Sequence, residues 1–202
     1  MVPDTDTRDY DQWKKPAELA KPGDAQPASA PTSKSDSPTA APAAQRDRQR
    51  NLARARMRKD SAKYSRDQIA EAEALYQVAN KNWRSDEARA SLKTMIEKFP
   101  DLNRTGCAVL YLAQWSRGDE REQLLKQAIE KYGDCYYGNG VQVGAFARYL
   151  LGHHYRDQGK AAEADKSFEE IRKGYAEAIT HGGDSLVAVM QEDLAPTTQP
   201  AR

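Results

Sequence analysis

From Ser65 to Leu194 the apolar residues recur every three or four positions, in runs opened by a capping residue or closed by Pro or Gly. That spacing is helical, and no segment alternates with period two for long enough to make a strand. Ser65 with Gln68 reads as a capping box ahead of Ile69, Ala72, Leu75, Tyr76 and Ala79. Ser85, followed by Asp86 and Glu87, opens a second helix carrying Ala88, Leu92, Met95, Ile96 and Phe99, which Pro100 ends. A third runs from Asn103 through Val109, Leu110, Leu112 and Ala113 to Gly118. Asp119 with Glu122 is expected to cap a fourth, through Leu124, Leu125, Ala128, Ile129 and Tyr132. After a loop from Asp134 to Gly140, a fifth carries Leu150, Leu151 and Tyr155. A sixth holds Ala164, Phe168, Ile171 and Tyr175 and is expected to end near Gly182 and Gly183. A short seventh, 184–194, shows Leu186, Val189 and Met190 on one side.

The front of the chain has a different character. Seven prolines fall between Met1 and Ala44, with Ala, Ser and Thr between them and almost no large aliphatic residue. Prolines break helices and such a composition buries little, so residues 1–44 are expected to be a disordered linker, as is the tail 195–202. Tyr10 and Trp13 are the only aromatic pair in it.

Residues 45–66 are expected to form a basic helical arm. Within 46–66 nine Lys and Arg face only Asp47 and Asp60, a local charge of +7 in a chain of net +1. Residues 1–45 carry −2, which leaves −4 on the remainder. Arg46, Arg50, Arg54 and Arg58 lie four apart and would repel one another along one stripe. The arm therefore reads as a solvated helix or one lying on the acidic body, with an anionic partner such as nucleic acid or a lipid surface as the second reading, though only Leu52 and Met57 interleave the arginines, which argues against membrane insertion.

Paired helices call for a search for repeats. The last pair reads Leu151-Gly152-x2-Tyr155-x3-Gly159-x4-Ala164-x3-Phe168-x2-Ile171. This resembles the tetratricopeptide repeat, W-x2-L-G-x2-Y-x3-G-x4-A-x3-F-x2-A, with Arg148 where Trp is usual and Ala176 where Pro is usual. An earlier copy matches at Leu75, Ala79, Ala88, Leu92, Met95 and Pro100, with Tyr76 and Trp83 replacing the two glycines. A middle copy over 103–136 keeps register at Val109 and Ala113 and slips after Gly118. The resemblance spans 69–178. It implies an all-α fold: a tetratricopeptide-like α-solenoid of three helical hairpins over 67–194, covered by a C-terminal capping helix. Gly152 and Ala164 would let the helices of a hairpin approach, and Leu151, Tyr155 and Phe168 would fill the gap to the next hairpin.

In that family the first helix of each hairpin lines a concave face that holds a protein or peptide. Register transfers that face to Glu73, Gln77, Asn80 and Lys81; then Cys107, Tyr111, Gln114 and Trp115; then Phe146, Tyr149, His153, Arg156 and Asp157. Tyr111, Gln114, Trp115, Phe146, Tyr149, His153 and Arg156 are the expected groove. The alternative is that these aromatics pack against the loop at Tyr136 and Tyr137 and close it.

Chemistry finds little purchase. Gly138, Gly140 and Gly144 follow no strand and have the wrong spacing for a dinucleotide loop, so they are read as permitting a turn. His153 and His154 are adjacent and point about 100° apart on a helix, which prevents chelation of one metal. Cys135 beside Asp134 is a poor thiolate. No catalytic residue, cofactor or metal is expected. The expected role is a non-catalytic scaffold or adaptor, with an anion-binding protein or an accessory to thiol chemistry at Cys107 or Cys135 as alternatives. No stretch has the length of a membrane span and Met1 to Asp6 has no signal-like layout, so the chain as written reads as cytoplasmic. Bacterial envelope-assembly proteins use similar repeats, and an upstream start would place it in the cell envelope or periplasm.

Overall fold

The computed structural model describes residues 38–195, and among these the regular structure is helical. Helix α1 spans Ala43–Asp60, α2 Arg66–Lys81, α3 Asp86–Lys98, α4 Asn103–Trp115, α5 Gly118–Tyr132, α6 Val143–Asp157, α7 Ala161–Gly174 and α8 Leu186–Leu194. β structure is confined to isolated bridges. Expectations for 1–37 and 196–202, including Tyr10 and Trp13, lie outside the described residues.

Local chemistry accounts for the helix starts. The Ser65 capping box forms, with Ser65 Oγ accepting from Gln68 N and Gln68 Oε1 accepting from Ser65 N. Ser85 and Ser185 accept likewise from Ala88 N and Ala188 N. The expected cap at Asp119 does not form: α5 begins one residue earlier, after Arg117, with no side-chain cap. The sixth predicted helix is also shorter than read. α7 ends at Gly174, because Ile179 and Thr180 enter a tight turn in which Ile179 pairs with Ser185.

Each helix packs on the next from α2 to α8; in addition α2 touches α4 and α4 touches α6. The core runs continuously through these contacts, with Tyr76, Leu92, Met95, Leu110, Leu125, Tyr149, Leu150, Phe168 and Ile171 fully buried. Burying each such side chain contributes about 1.5–3 kcal/mol. Gly152 lies against the Phe168 ring, so α6 and α7 approach closely at the expected small residue. Phe168 thus fills the gap inside its own hairpin; Tyr155 is the residue that reaches back, donating to Glu122 of α5 at 3.1 Å.

The turns between hairpins repeat one another. At the second, Cys135 N donates to Tyr132 O, Tyr137 N to Val141 O, Gly140 N to Tyr137 O and Val143 N to Cys135 O. At the third, the same bonds recur from Ala178 N to Tyr175 O, Thr180 N to Asp184 O, Gly183 N to Thr180 O and Leu186 N to Ala178 O. Gly140 (φ +101°) and Gly183 (φ +83°) hold the matching left-handed position. The first turn keeps only the opening bond, Leu102 N to Phe99 O, and passes directly into α4.

Helix α1 straps these turns together. Its lead-in, residues 39–41, placed in the disordered linker by composition, is paired with the third turn. Ala40 bridges to Asp184, Ser185 N donates to Thr39 O, and Thr39 and Ala41 are buried. Backbone pairing with the third turn outweighs the breaking effect of Pro38 and Pro42. Farther along, Arg48 makes a two-pronged contact with Glu177 (2.8 and 2.9 Å). Arg56 Nε donates to Asp134 at 3.1 Å and Lys63 pairs with Asp101. The backbone of Gln49 and Arg50 rests on Gly140, where a β-carbon would stand 2.9 Å from Arg50 N. One helix therefore grips the third, second and first turns in order. Arg48 and Arg56, eight residues and about 12 Å apart along a helix, are the inward cations.

The expected stripe of Arg46, Arg50, Arg54 and Arg58 is not what docks. A four-residue step exceeds the 3.6-residue turn and gains about 40° each time. The row winds from the packed edge at Arg46, which donates to Ala41 O, to solvent at Arg50, Arg54 and Arg58.

Candidate binding surface

The expected groove is divided by what covers it. In the third hairpin Phe146 and Tyr149 are buried, the former against His181 with ring centres 5.3 Å apart. The Tyr149 hydroxyl donates to Asp193 of α8, His153 lies half-buried between the Tyr149 and Phe168 rings, and Arg156 donates to Asp193 O at 3.3 Å. The capping helix and the third turn thus take the place assigned to a guest. Tyr137 makes an edge contact with His181 at 4.6 Å, and its hydroxyl meets Cys107 O at 3.4 Å, so the second turn covers α4 at Cys107. As open groove residues, Phe146 and Tyr149 are corrected: they are interior, because the two turns fold back over them.

The face between α2 and α4 is different. Tyr111 is buried here too, correcting its place in an open groove, but its neighbours differ from those expected. Its ring lies 5.4 Å from Tyr76, 5.1 Å from Trp83 and 5.3 Å from Trp115, rather than against Tyr136 or Tyr137. Trp83 and Trp115 meet edge to face at 5.0 Å, and both are partly buried against the core. A polar rail leads to them along α2. Arg104 pairs with Glu73 (2.9 Å), Gln77 donates to Glu73 (2.6 Å), Asn80 to Gln77 (3.2 Å) and the Tyr111 hydroxyl to Asn80 (2.7 Å). Arg104 also stacks 4.5 Å over the Tyr76 ring. Two donors nearby, Gln114 Nε2 and Trp115 Nε1, are buried and have no acceptor among the described residues. Arg84, held at φ +61°, lays its guanidinium 5.5 Å over Trp83.

Trp83 was passed over in the sequence because it occupies a consensus glycine slot; its signal was an aromatic just beyond the last turn of α2, level with Trp115 at the end of α4.

The remaining polar clusters are structural. Glu122 accepts from Lys126 and Tyr155 and lies 3.5 Å from Lys160, and the Lys126 bond holds its carboxyl down at about 2. Asp60 accepts from Arg56 and from Asn103 N, while Asn103 clamps Tyr136 through both its amide groups. Burial raises the Asp60 carboxyl in spite of those donors. Burial likewise pushes the Cys135 thiol up to about 12, and Cys107 is buried beneath the second turn. His153 and His154 diverge, the first toward Asp193 and the second toward Gln158, and burial lowers both. Among the described residues no three His, Cys, Asp or Glu side chains converge to hold a metal, and no helix is long and apolar enough to cross a membrane. A cleft of about 350 Å³ lies over α5, α6 and α7, where Lys126, Arg148 and Lys166 alternate with Glu130, Glu163 and Glu170. Compared with protein-family models, curated proteins and solved structures, the chain matches none.

Proposed function

We propose that this chain is a non-catalytic helical-repeat scaffold, similar in plan to tetratricopeptide modules, that holds a peptide or protein partner on its α2–α4 face. The observation that carries the reading is the partly buried Trp83–Trp115 pair, still in reach of solvent at the end of a polar rail. Tryptophan buries a large apolar area with little loss of rotamer freedom and dominates interface energetics. The order of packing, with α2 on α4 and α4 on α6, supports a stacked series of three hairpins in which these first helices share a face. The guest that fits is an extended peptide with an apolar anchor for the tryptophans and acceptors for the rail.

A displayed random-peptide library selected on the full chain tests this. Binders should share an apolar anchor beside an acceptor or acidic residue. Trp83→Ala and Trp115→Ala should each weaken them about tenfold or more, with little change in melting temperature. Selected peptides that bind both variants as tightly as the parent would sink the proposal.

A further inference from the structure

Helix α1 has two sides with different employment. Inward, Arg48 and Arg56 consume Glu177, Asp134 and Asp60, and these contacts hold the helix in place. Outward, Arg50, Arg54, Arg58 and Lys59 are exposed. Arg50 pairs with Asp47 in its own helix, Arg54 reaches only the neutral Asn51 amide, and Arg58 and Lys59 make no ion pair among the described residues. These cations contribute nothing to docking, and like charges at four-residue spacing repel by a few tenths of a kcal/mol per pair.

We propose that this outward face is a docking strip for the phosphodiester backbone of a nucleic acid, read without regard to sequence. Three features favour that partner. The strip is a row of three cations about 12 Å long from Arg50 to Arg58, flanked by Lys59, on a helix fixed at both ends, so a polyanion gains contacts without having to order the helix. Leu52 is the one exposed large apolar side chain among the described residues, which leaves almost nothing to insert into a lipid surface or to form the apolar centre of a protein interface. The remainder of the chain beyond residue 66 carries −4, which repels a polyanion elsewhere and confines contact to α1. The strip holds no aromatic residue, so base stacking is not offered and phosphate contact is what remains.

Fluorescence anisotropy of the full chain with a labelled random-sequence DNA duplex, repeated with single-stranded RNA, tests the proposal. With three to four phosphates engaged, the logarithm of the affinity for the duplex should fall against the logarithm of salt with a slope of about −3. Between 50 and 200 mM salt that is a loss of about 60-fold. The combined Arg50→Gln, Arg54→Gln, Arg58→Gln and Lys59→Gln variant should lose most binding at 50 mM while its circular dichroism is unchanged, and the single Arg54→Glu variant should lose about tenfold. A control with Lys93, Lys131, Lys166 and Lys173 changed to Gln should bind within about twofold of the parent. The proposal is overturned by no binding at 50 mM, by binding insensitive to salt, or by an equal loss in the control. Tighter binding to phosphatidylserine vesicles than to either nucleic acid would overturn it as well.

Discussion

A β-carbon at Gly152 would fall on the Phe168 ring, and that one contact sets how near α6 and α7 can come. In an open helix Gly→Ala is worth about 1 kcal/mol of stability. Here overpacking, at about 1–3 kcal/mol, opposes it. Gly152→Ala should therefore lose up to about 2 kcal/mol in urea unfolding, and should cost less when measured in a Phe168→Leu background, a non-additivity expected only of touching residues. His181 makes a second prediction. It is buried against Tyr137 and Phe146, with Asn139 Nδ2 3.4 Å from Nδ1 and no partner for Nε2. Burial holds it down at about 4. An unfolded histidine titrates near 6.5, so between about pH 6.5 and 4 the unfolded chain binds a proton that the folded chain refuses, and stability falls as the solution is acidified. The loss approaches about 3 kcal/mol below the folded value. His181→Leu should flatten this limb of the stability–pH curve; an unchanged limb in the variant would assign it to other groups.

Among the elements, α1 departs furthest from its sequence. The composition of 46–66 marks a helix and its charge but not its end, since the helix stops at Asp60 and 61–65 turn into α2, and a four-residue stripe is easier to see than a cation every second turn. What determines docking is the partner's geometry. The turns carry Phe99-Pro100-Asp101, Tyr132-Gly133-Asp134 and Tyr175-Ala176-Glu177, an acid two residues after an aromatic each time. Those acids meet Lys63, Arg56 and Arg48. The recurring triplet was a usable signal; its match to α1 required knowing how far apart the turns stand. Arg56 is the most buried of the three cations, 14% exposed, and Asp60 beside it is 10% exposed. Removing one partner leaves the other charge poorly solvated, so Arg56→Ala should cost about 2–3 kcal/mol in urea unfolding. Arg58→Ala, on the outward side, should change stability by no more than about 0.5 kcal/mol.

Across the whole molecule, the helices from α2 to α8 were legible because each rests on periodic apolar residues between breakers, with a serine cap added at α2, α3 and α8. The proposed binding face was legible only in part. Register pointed to residues of α2, α4 and α6, of which Gln114 and Trp115 are partly buried rather than interior. It could not show that the second and third turns fold back over Phe146 and Tyr149, since coverage depends on contacts such as Phe146 with His181. Nor could it show that Thr39 would bond to Asp184, a pair separated by 145 positions.

That last bond bears on how the molecule comes into being. A ribosome releases the strap helix early, while the acids it must grip appear in the order Asp101, Asp134, Glu177. The strap meets them from its rear end forward, so its leading residues wait for the final turn to be made. Hairpins can settle one after another during synthesis, yet the latch between Thr39 and Ser185 cannot close until almost the whole described chain exists. The first of the described residues to be made are among the last to reach their place.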